Sequence, residues 1–132
     1  FNDSGAHNRN MAFQDGALQM LRQAAEDPSW ISMERAIQRL TSEPAEWLGL
    51  KGVGAIERGR QADVIVIDPS KLSSNLGAPV EHTDDRVGHM RVVKRSDGVV
   101  KHVVVNGKTA FSDGAFAGGL GREKFGRLLR RK

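Results

Sequence analysis

Gly54-Ala55-Ile56-Glu57-Arg58-Gly59-Arg60-Gln61-Ala62-Asp63-Val64-Ile65-Val66-Ile67-Asp68 carries the reading of the fold. Its two glycines mark turns, because glycine takes positive φ without steric cost. The run Val64 to Ile67 is wholly β-branched, which stiffens the side chains and favours extended backbone. An unbroken apolar run of this length predicts a short strand buried on both faces, bounded by Asp63 and by Asp68-Pro69.

Downstream, Ser70 to Gly88 is rich in polar residues with two glycines and a proline, and predicts a long loop. Arg91 to Arg95 predicts a strand. Val99 to Val105, Asn106-Gly107 and Lys108 to Phe111 predict a hairpin, with Asn-Gly supplying the two positive-φ positions of a type I′ turn. Asp113-Gly114 marks a further turn, and Gly118, Gly119 and Gly121 loosen the chain beyond it. Leu128 and Leu129 offer a last strand or an anchor for the tail.

Upstream the period changes. Phe13, Ala17, Leu18, Leu21, Ala24 and Ala25 recur at helical spacing from Ala12 to Glu26, and Asp27-Pro28 ends that helix. Ser32 suits an N-cap, with Glu34 facing the positive end of the helix dipole. Met33, Ala36, Ile37 and Leu40 form the next stripe. Thr41-Ser42-Glu43-Pro44 starts a short helix that Gly49 ends. Met20, Met33 and Trp47 read as core residues. Helices therefore come first and strands second, which predicts an α+β fold divided into residues 1–51 and 52–132.

The 132 residues fit one ordinary domain, and 39% hydrophobic with 27% charged residues is a globular composition. No apolar run is long enough for a membrane-spanning helix, so no membrane partner is expected. Zero cysteines exclude disulfides and thiolate metal sites and fit a reducing, cytoplasmic setting. The net charge of +4 gathers at Arg122 to Lys132 and among Arg86, Arg91, Lys94, Arg95 and Lys101. With 5% aromatics and no tyrosine, stacking platforms are scarce, so the charge reads as a solvated face and argues against nucleic acid. Phe1 stands first and the earliest methionine is Met11, so a longer translation product is expected.

Few residues offer chemistry. Asn2-Asp3-Ser4-Gly5 is a good turn, because Asn and Asp tolerate left-handed backbone and bond their own main chain. His7, His82, His89 and His102 lack regular ligand spacing. His82 and His89 flank Asp84 and Asp85, which suits a solvated loop better than a closed tetrahedral metal site. No nucleophile elbow is present, and Gly118 to Gly121 lacks the strand-to-helix context of a phosphate loop.

Four stretches together resemble the C-terminal part of the amidohydrolase superfamily, in its N-acyl-D-amino-acid deacylase (D-aminoacylase-like) branch. Asn2-Asp3-Ser4-Gly5-Ala6-His7 resembles the Ser-Asp-Ala-Gly-Ala-His type of segment after the last barrel strand, with Asn2 and Ser4 departing from it. Leu40 to Ala45 with Leu48-Gly49-Leu50 resembles the helical pair after that segment. Gly54 to Asp68 resembles the glycine turn and Ala-Asp-hydrophobic strand that re-enter a small β-sandwich. Val103 to Gly107, Asp113-Gly114 and Gly126 to Arg130 resemble the closing hairpin and tail.

The resemblance implies a TIM-type barrel parent whose active site lies at the C-terminal ends of its strands. Residues 1–51 would end that barrel and residues 52–132 would form the C-terminal part of a mostly antiparallel β-sandwich. Asp3 would be the general base and acid beside zinc, and a possible metal ligand, in hydrolysis of an N-acyl-D-amino acid. Asn2, Ser4, Gly5 and His7 would bind substrate or support Asp3, with turn packing an equal role for His7. The other metal ligands are absent from this chain, so the isolated chain is expected to be inactive. In this family the sandwich is usually completed by strands from before the barrel. Val64–Ile67 and Val103–Val105 are therefore expected to expose edges, and the fragment to self-associate. Two other readings stay open. One is a non-catalytic β module with a basic tail that binds protein or nucleic acid. The other is a cyclic amidase or deaminase of the same superfamily.

Overall fold

A computed structural model describes residues 15–84, 88–93 and 96–131. Three helices open the described chain: α1 (Gly16–Glu26), α2 (Met33–Leu40) and α3 (Ser42–Trp47). Strand β1 (Val64–Ile67), helix α4 (Pro69–Asn75) and strands β2 (Val80–Asp84) and β3 (His89–Val93) come next. Strands β4 (Val100–Val105), β5 (Lys108–Ser112) and β6 (Ala115–Phe116) complete the order. The architecture is α+β with two antiparallel sheets, β1-β4-β5-β6 and β2-β3.

The helix boundaries reflect the chemistry of their ends. Ser32 Oγ accepts from the Arg35 amide at 3.2 Å, the expected N-cap of α2. The backbone amide of Glu34 itself, then the Ser32 hydroxyl, hold the Glu34 carboxyl below its ordinary value. At the other end of α3, the Leu50 amide bonds the Ala45 carbonyl at 2.8 Å and the Gly49 amide bonds Glu46 at 2.9 Å. That pair of bonds is a Schellman closure, with Gly49 at φ 67°.

Only part of each apolar stripe is buried. Leu18, Met20, Leu21 and Ala24 of α1 face the core, whereas Ala17 and Ala25 are exposed and Phe13 lies outside the described residues. In α2, Ala36 is buried and Met33 packs against the core, but Ile37 and Leu40 are exposed. Trp47 is 86% exposed, so the expectation of a core role for it is corrected. It stands in the last turn of a six-residue helix, past the last point where α3 contributes a buried side chain, Ala45.

The loop expected over Ser70 to Gly88 is corrected where the chain is described: residues 70–75 are helical and residues 80–84 form a strand. Asp68 caps α4, its Oδ1 accepting from the Ser70 amide at 3.0 Å and from the Ser70 hydroxyl at 2.6 Å, while Pro69 occupies the first turn. Leu72 and Leu76, four residues apart, then reach the core together. Of the polar residues that suggested a loop, Ser70, Lys71, Ser73 and Ser74 are exposed on this helix, and Glu81, His82 and Thr83 are exposed on β2. The Ser70 hydroxyl, more than any other group, holds the Asp68 carboxyl below its ordinary value of 3.8, with Lys101 and Lys71 adding to the effect. A depressed carboxylate stabilises the fold above the unfolded value, and that contribution fades as pH falls through the lower folded one. Asp68→Ala is therefore expected to lower the melting temperature at neutral pH. The difference from wild type should close as pH is taken below about 4, in thermal unfolding monitored by circular dichroism.

The core is shared by helices and sheet. Leu21, Ala24, Ala36, Leu72, Leu76 and Val99 form one buried cluster, with Ile31 and Ile67 packed on its margin. Val99 is fully buried, and its carbonyl accepts from the Asp68 amide at 2.9 Å, closing the end of β1 against the start of β4.

Strand β1 is not buried on both faces: Ile65 is 60% exposed and Val66 44%. Among the described residues it pairs only with β4 and so stands at a sheet edge. The apolar run reported β-branched content correctly but not what lies on its two faces. The expected open edge at Val103–Val105 is also corrected, because β4 is flanked by β1 and β5. Leu128 and Leu129 add no strand, and Leu128 is 75% exposed.

Gly54 shows why the connection to β1 needs glycine. It sits at φ 82°, and a Cβ there would stand 2.8 Å from the Ala45 Cβ and 3.0 Å from the Thr41 carbonyl. Residues 41–45 and the turn are thus in backbone contact, an approach that only a residue without a side chain permits.

Candidate functional site

Asn2, Asp3, Ser4, Gly5 and His7 lie outside the described residues. The described chain places three other groups that bear on function.

The first is the tip of the β4-β5 hairpin. Asn106 and Gly107 take φ of 51° and 81°, the expected type I′ pattern. This presents two main-chain donors to the segment before β1. The Asn106 amide donates to Asp63 Oδ1 at 2.7 Å, and the Gly107 amide to the Ala62 carbonyl at 2.9 Å. Asp63 therefore has a structural use: it receives the hairpin tip.

The second lies on the β4-β5 pair. His102 Nδ1 is 3.0 Å from Ser112 Oγ, and the Ser112 hydroxyl donates to Asp113 Oδ2 at 3.2 Å. Lys101 Nζ lies 3.6 Å from Asp113 Oδ1. The serine stands between the imidazole and the carboxylate, so the carboxylate cannot orient the imidazole as an acid–base triad requires. With the hydroxyl hydrogen given to Asp113, Ser112 Oγ accepts from the imidazole. The chain of bonds ties the strand ends together. His82 and His89 stand in strands, not in a loop, opposite Arg91 and Asp84 in the β2-β3 register.

The third is an apolar groove of about 420 Å³ over β4, β5 and β6, which includes Val103, Val105, Phe111, Phe116 and Leu120. Phe111 and Phe116 are cross-strand partners and meet edge to face, with ring centroids 5.3 Å apart. The sequence reading missed this groove. Its signal was the second two-residue turn, Asp113-Gly114 at φ 46° and 91°, which folds Phe116 back beside Phe111.

The amidohydrolase family model matches residues 2–110, and the chain belongs to the amidohydrolase family. Among its relatives, an uncharacterised protein of Mycobacterium tuberculosis is 39% identical over 98% of the chain and 23% of its own length. A 5-methylthioadenosine/S-adenosylhomocysteine deaminase of Bacillus cytotoxicus is 33% identical over 85% of the chain and 25% of its own length. The chain thus spans about a quarter of the length of the curated relatives it matches. In fold it is similar to the crystal structure of a D-aminoacylase, with a TM-score of 0.58 and 23% identity over 87% of this chain and 21% of that one.

Members of this family are generally metal-dependent. Among the described residues no group of three or more His, Cys, Asp or Glu side chains is placed to hold a metal ion, so these residues do not fit a zinc site. The described helices also include none long and apolar enough to cross a membrane.

Proposed function

We propose that the chain is the C-terminal part of a zinc-dependent amidohydrolase that hydrolyses the amide of N-acyl-D-amino acids, with Asp3 as its general base and acid. The observation that carries this reading is the overlap of two findings. The family match spans residues 2–110 and so includes the Asn2–His7 segment, and the likeness to a D-aminoacylase extends over 87% of the chain. In this reading α1 to α3 belong to the end of a TIM-type barrel, and residues 52–132 to a small β-sandwich. The zinc is held by residues outside the described ones, in a cytoplasmic enzyme.

Asp3 accepts a proton as water adds to the amide carbonyl, and returns it to the nitrogen as the carbon–nitrogen bond breaks. Asn2, Ser4 and Gly5, its neighbours in sequence, would bind substrate or support Asp3. His7 orients Asp3 or receives the substrate carboxylate.

A second reading, deamination of a nucleoside-like substrate, is favoured by one observation: the deaminase relative is 33% identical over 85% of the chain. The two readings divide in a single assay. The whole enzyme is supplied with N-acetyl-D-amino acids and, separately, with 5-methylthioadenosine. Acetate release from the first with no ammonia from the second is expected. Ammonia release alone would establish the deaminase reading instead.

Separated from the rest of such an enzyme, the chain should self-associate. Among the described residues β1 has a strand partner on one edge only, Ile65 and Val66 project from it exposed, and Phe116 is 73% exposed beside the apolar groove. Open strand edges and uncovered apolar surface both favour association. Sedimentation velocity across a concentration series should show the mean mass rising with concentration. A monomer at every concentration would show that the edge and groove are protected within one chain.

A further inference from the structure

The geometry points to the C-terminal segment from Phe125 to Arg131 as a strap that holds the glycine-rich connection between α3 and β1, and so fixes how the helices sit on the sheet. That connection, residues 48–63, contains no regular element and four glycines at positive φ. Such a stretch loses much conformational entropy on ordering and makes few regular hydrogen bonds in return. It therefore depends on contacts from elsewhere.

The tail supplies them at both ends of the connection. Arg131 lies against Gly49 at the close of α3, where an added Cβ would come within 3.0 Å of its Cγ. Arg127 Nε donates to Gln61 Oε1, two residues before Asp63. Just before Arg127, Gly126 passes over Val105, where an added Cβ would stand 3.5 Å from Cγ1. The strap is itself fastened to the hairpin. Lys108 Nζ donates to the Lys124 carbonyl at 3.3 Å, lies 3.6 Å from Glu123 Oε2, and stands 5.4 Å from the centroid of the Phe125 ring. An ammonium over an aromatic face is attracted by the ring quadrupole.

The consequence is a division of labour in the basic tail. Arg127 and Arg131 are used on the chain's own glycine connection, so the cluster of charge at this end is in part structural. The hairpin tip holds Ala62 and Asp63, and the strap holds Gln61.

Amide hydrogen exchange tests this on the protein carrying Arg127→Ala and, separately, on a form ending at Lys124. The informative amides are Gln61, which donates to the Gly52 carbonyl, and Asp63, which donates to the Gln61 carbonyl. In either variant they should exchange at least about tenfold faster, as expected for local opening, while the β4-β5 ladder keeps its rates. Unchanged exchange at Gln61 and Asp63 in both variants would overturn the strap. So would equal acceleration across the ladder, which would make Arg127 a contributor to global stability and not a local fastener.

Discussion

Asp3→Asn in the whole enzyme is expected to lower kcat for N-acyl-D-amino acids by about a hundred- to ten-thousand-fold, the range a positioned acid–base group contributes. Asparagine keeps the size and turn preference of aspartate, so the substitution changes the acid–base group and little else. What it loses is the capacity to take a proton and give it back. If proton transfer is the missing step, KM changes far less than kcat, and metal content measured by atomic absorption stays near that of the wild type. A kcat near normal with full metal content would return Asp3 to the role of a turn residue. Loss of metal together with activity would make it a ligand first.

Leu72→Ala should destabilise the fold by about 2–5 kcal/mol, the usual cost of truncating a buried leucine to alanine. Leu72 is 2% exposed and lies within the cluster of Leu21, Ala24, Ala36, Leu76 and Val99. Those neighbours come from α1, α2, the C-cap of α4 and the entrance to β4, so the cavity weakens helices and sheet at once. Far-ultraviolet circular dichroism and near-ultraviolet signals should therefore lose their transition midpoints together in urea. Separate midpoints would show that the two parts unfold independently. A cost below about 1 kcal/mol would mean that the site collapses around alanine, against the trend for buried leucines.

How much was legible beforehand depended on the range of the interaction. The Ser32 cap, the stop at Gly49 and the two positive-φ turns at Asn106-Gly107 and Asp113-Gly114 were readable because each rests on one or two residues and their own backbone. Helix α4 was also written locally, in Asp68-Pro69-Ser70 with Leu72 and Leu76 four apart, but the polar residues around it concealed the pattern. The sequence reads the candidate catalytic segment, Asn2 to His7, as a turn and, by resemblance, as a site. The family match covers it, and it lies outside the described residues.

Burial was a different matter. Val64 to Ile67 and Trp47 are as apolar as any core residue, yet Ile65 and Trp47 are exposed. Hydrophobicity states what a side chain gains from cover, not whether another element arrives to cover it.

The register of the sheet shows where the sequence stops. From the type I′ turn, local geometry pairs Val105 with Lys108 and Val104 with Thr109, and continuing that count would set His102 beside Phe111. An irregularity between Val103 and Val104 shifts the count by one, so Val103 meets Phe111 and His102 meets Ser112. A one-residue slip exchanges the two faces of a strand. Here it brings Phe111 onto the apolar groove and leaves the imidazole with a hydroxyl partner. The sequence by itself determined the caps, the turns and the content of helix and strand, since these depend on backbone dihedrals that adjacent residues dictate. Only the tertiary structure decided the bulged register, the edge position of β1, the core shared by α1, α4 and Val99, and the clasp of the tail on Gly49 and Gln61. Each of those joins residues far apart in the chain, whose meeting depends on what the rest of the fold leaves open.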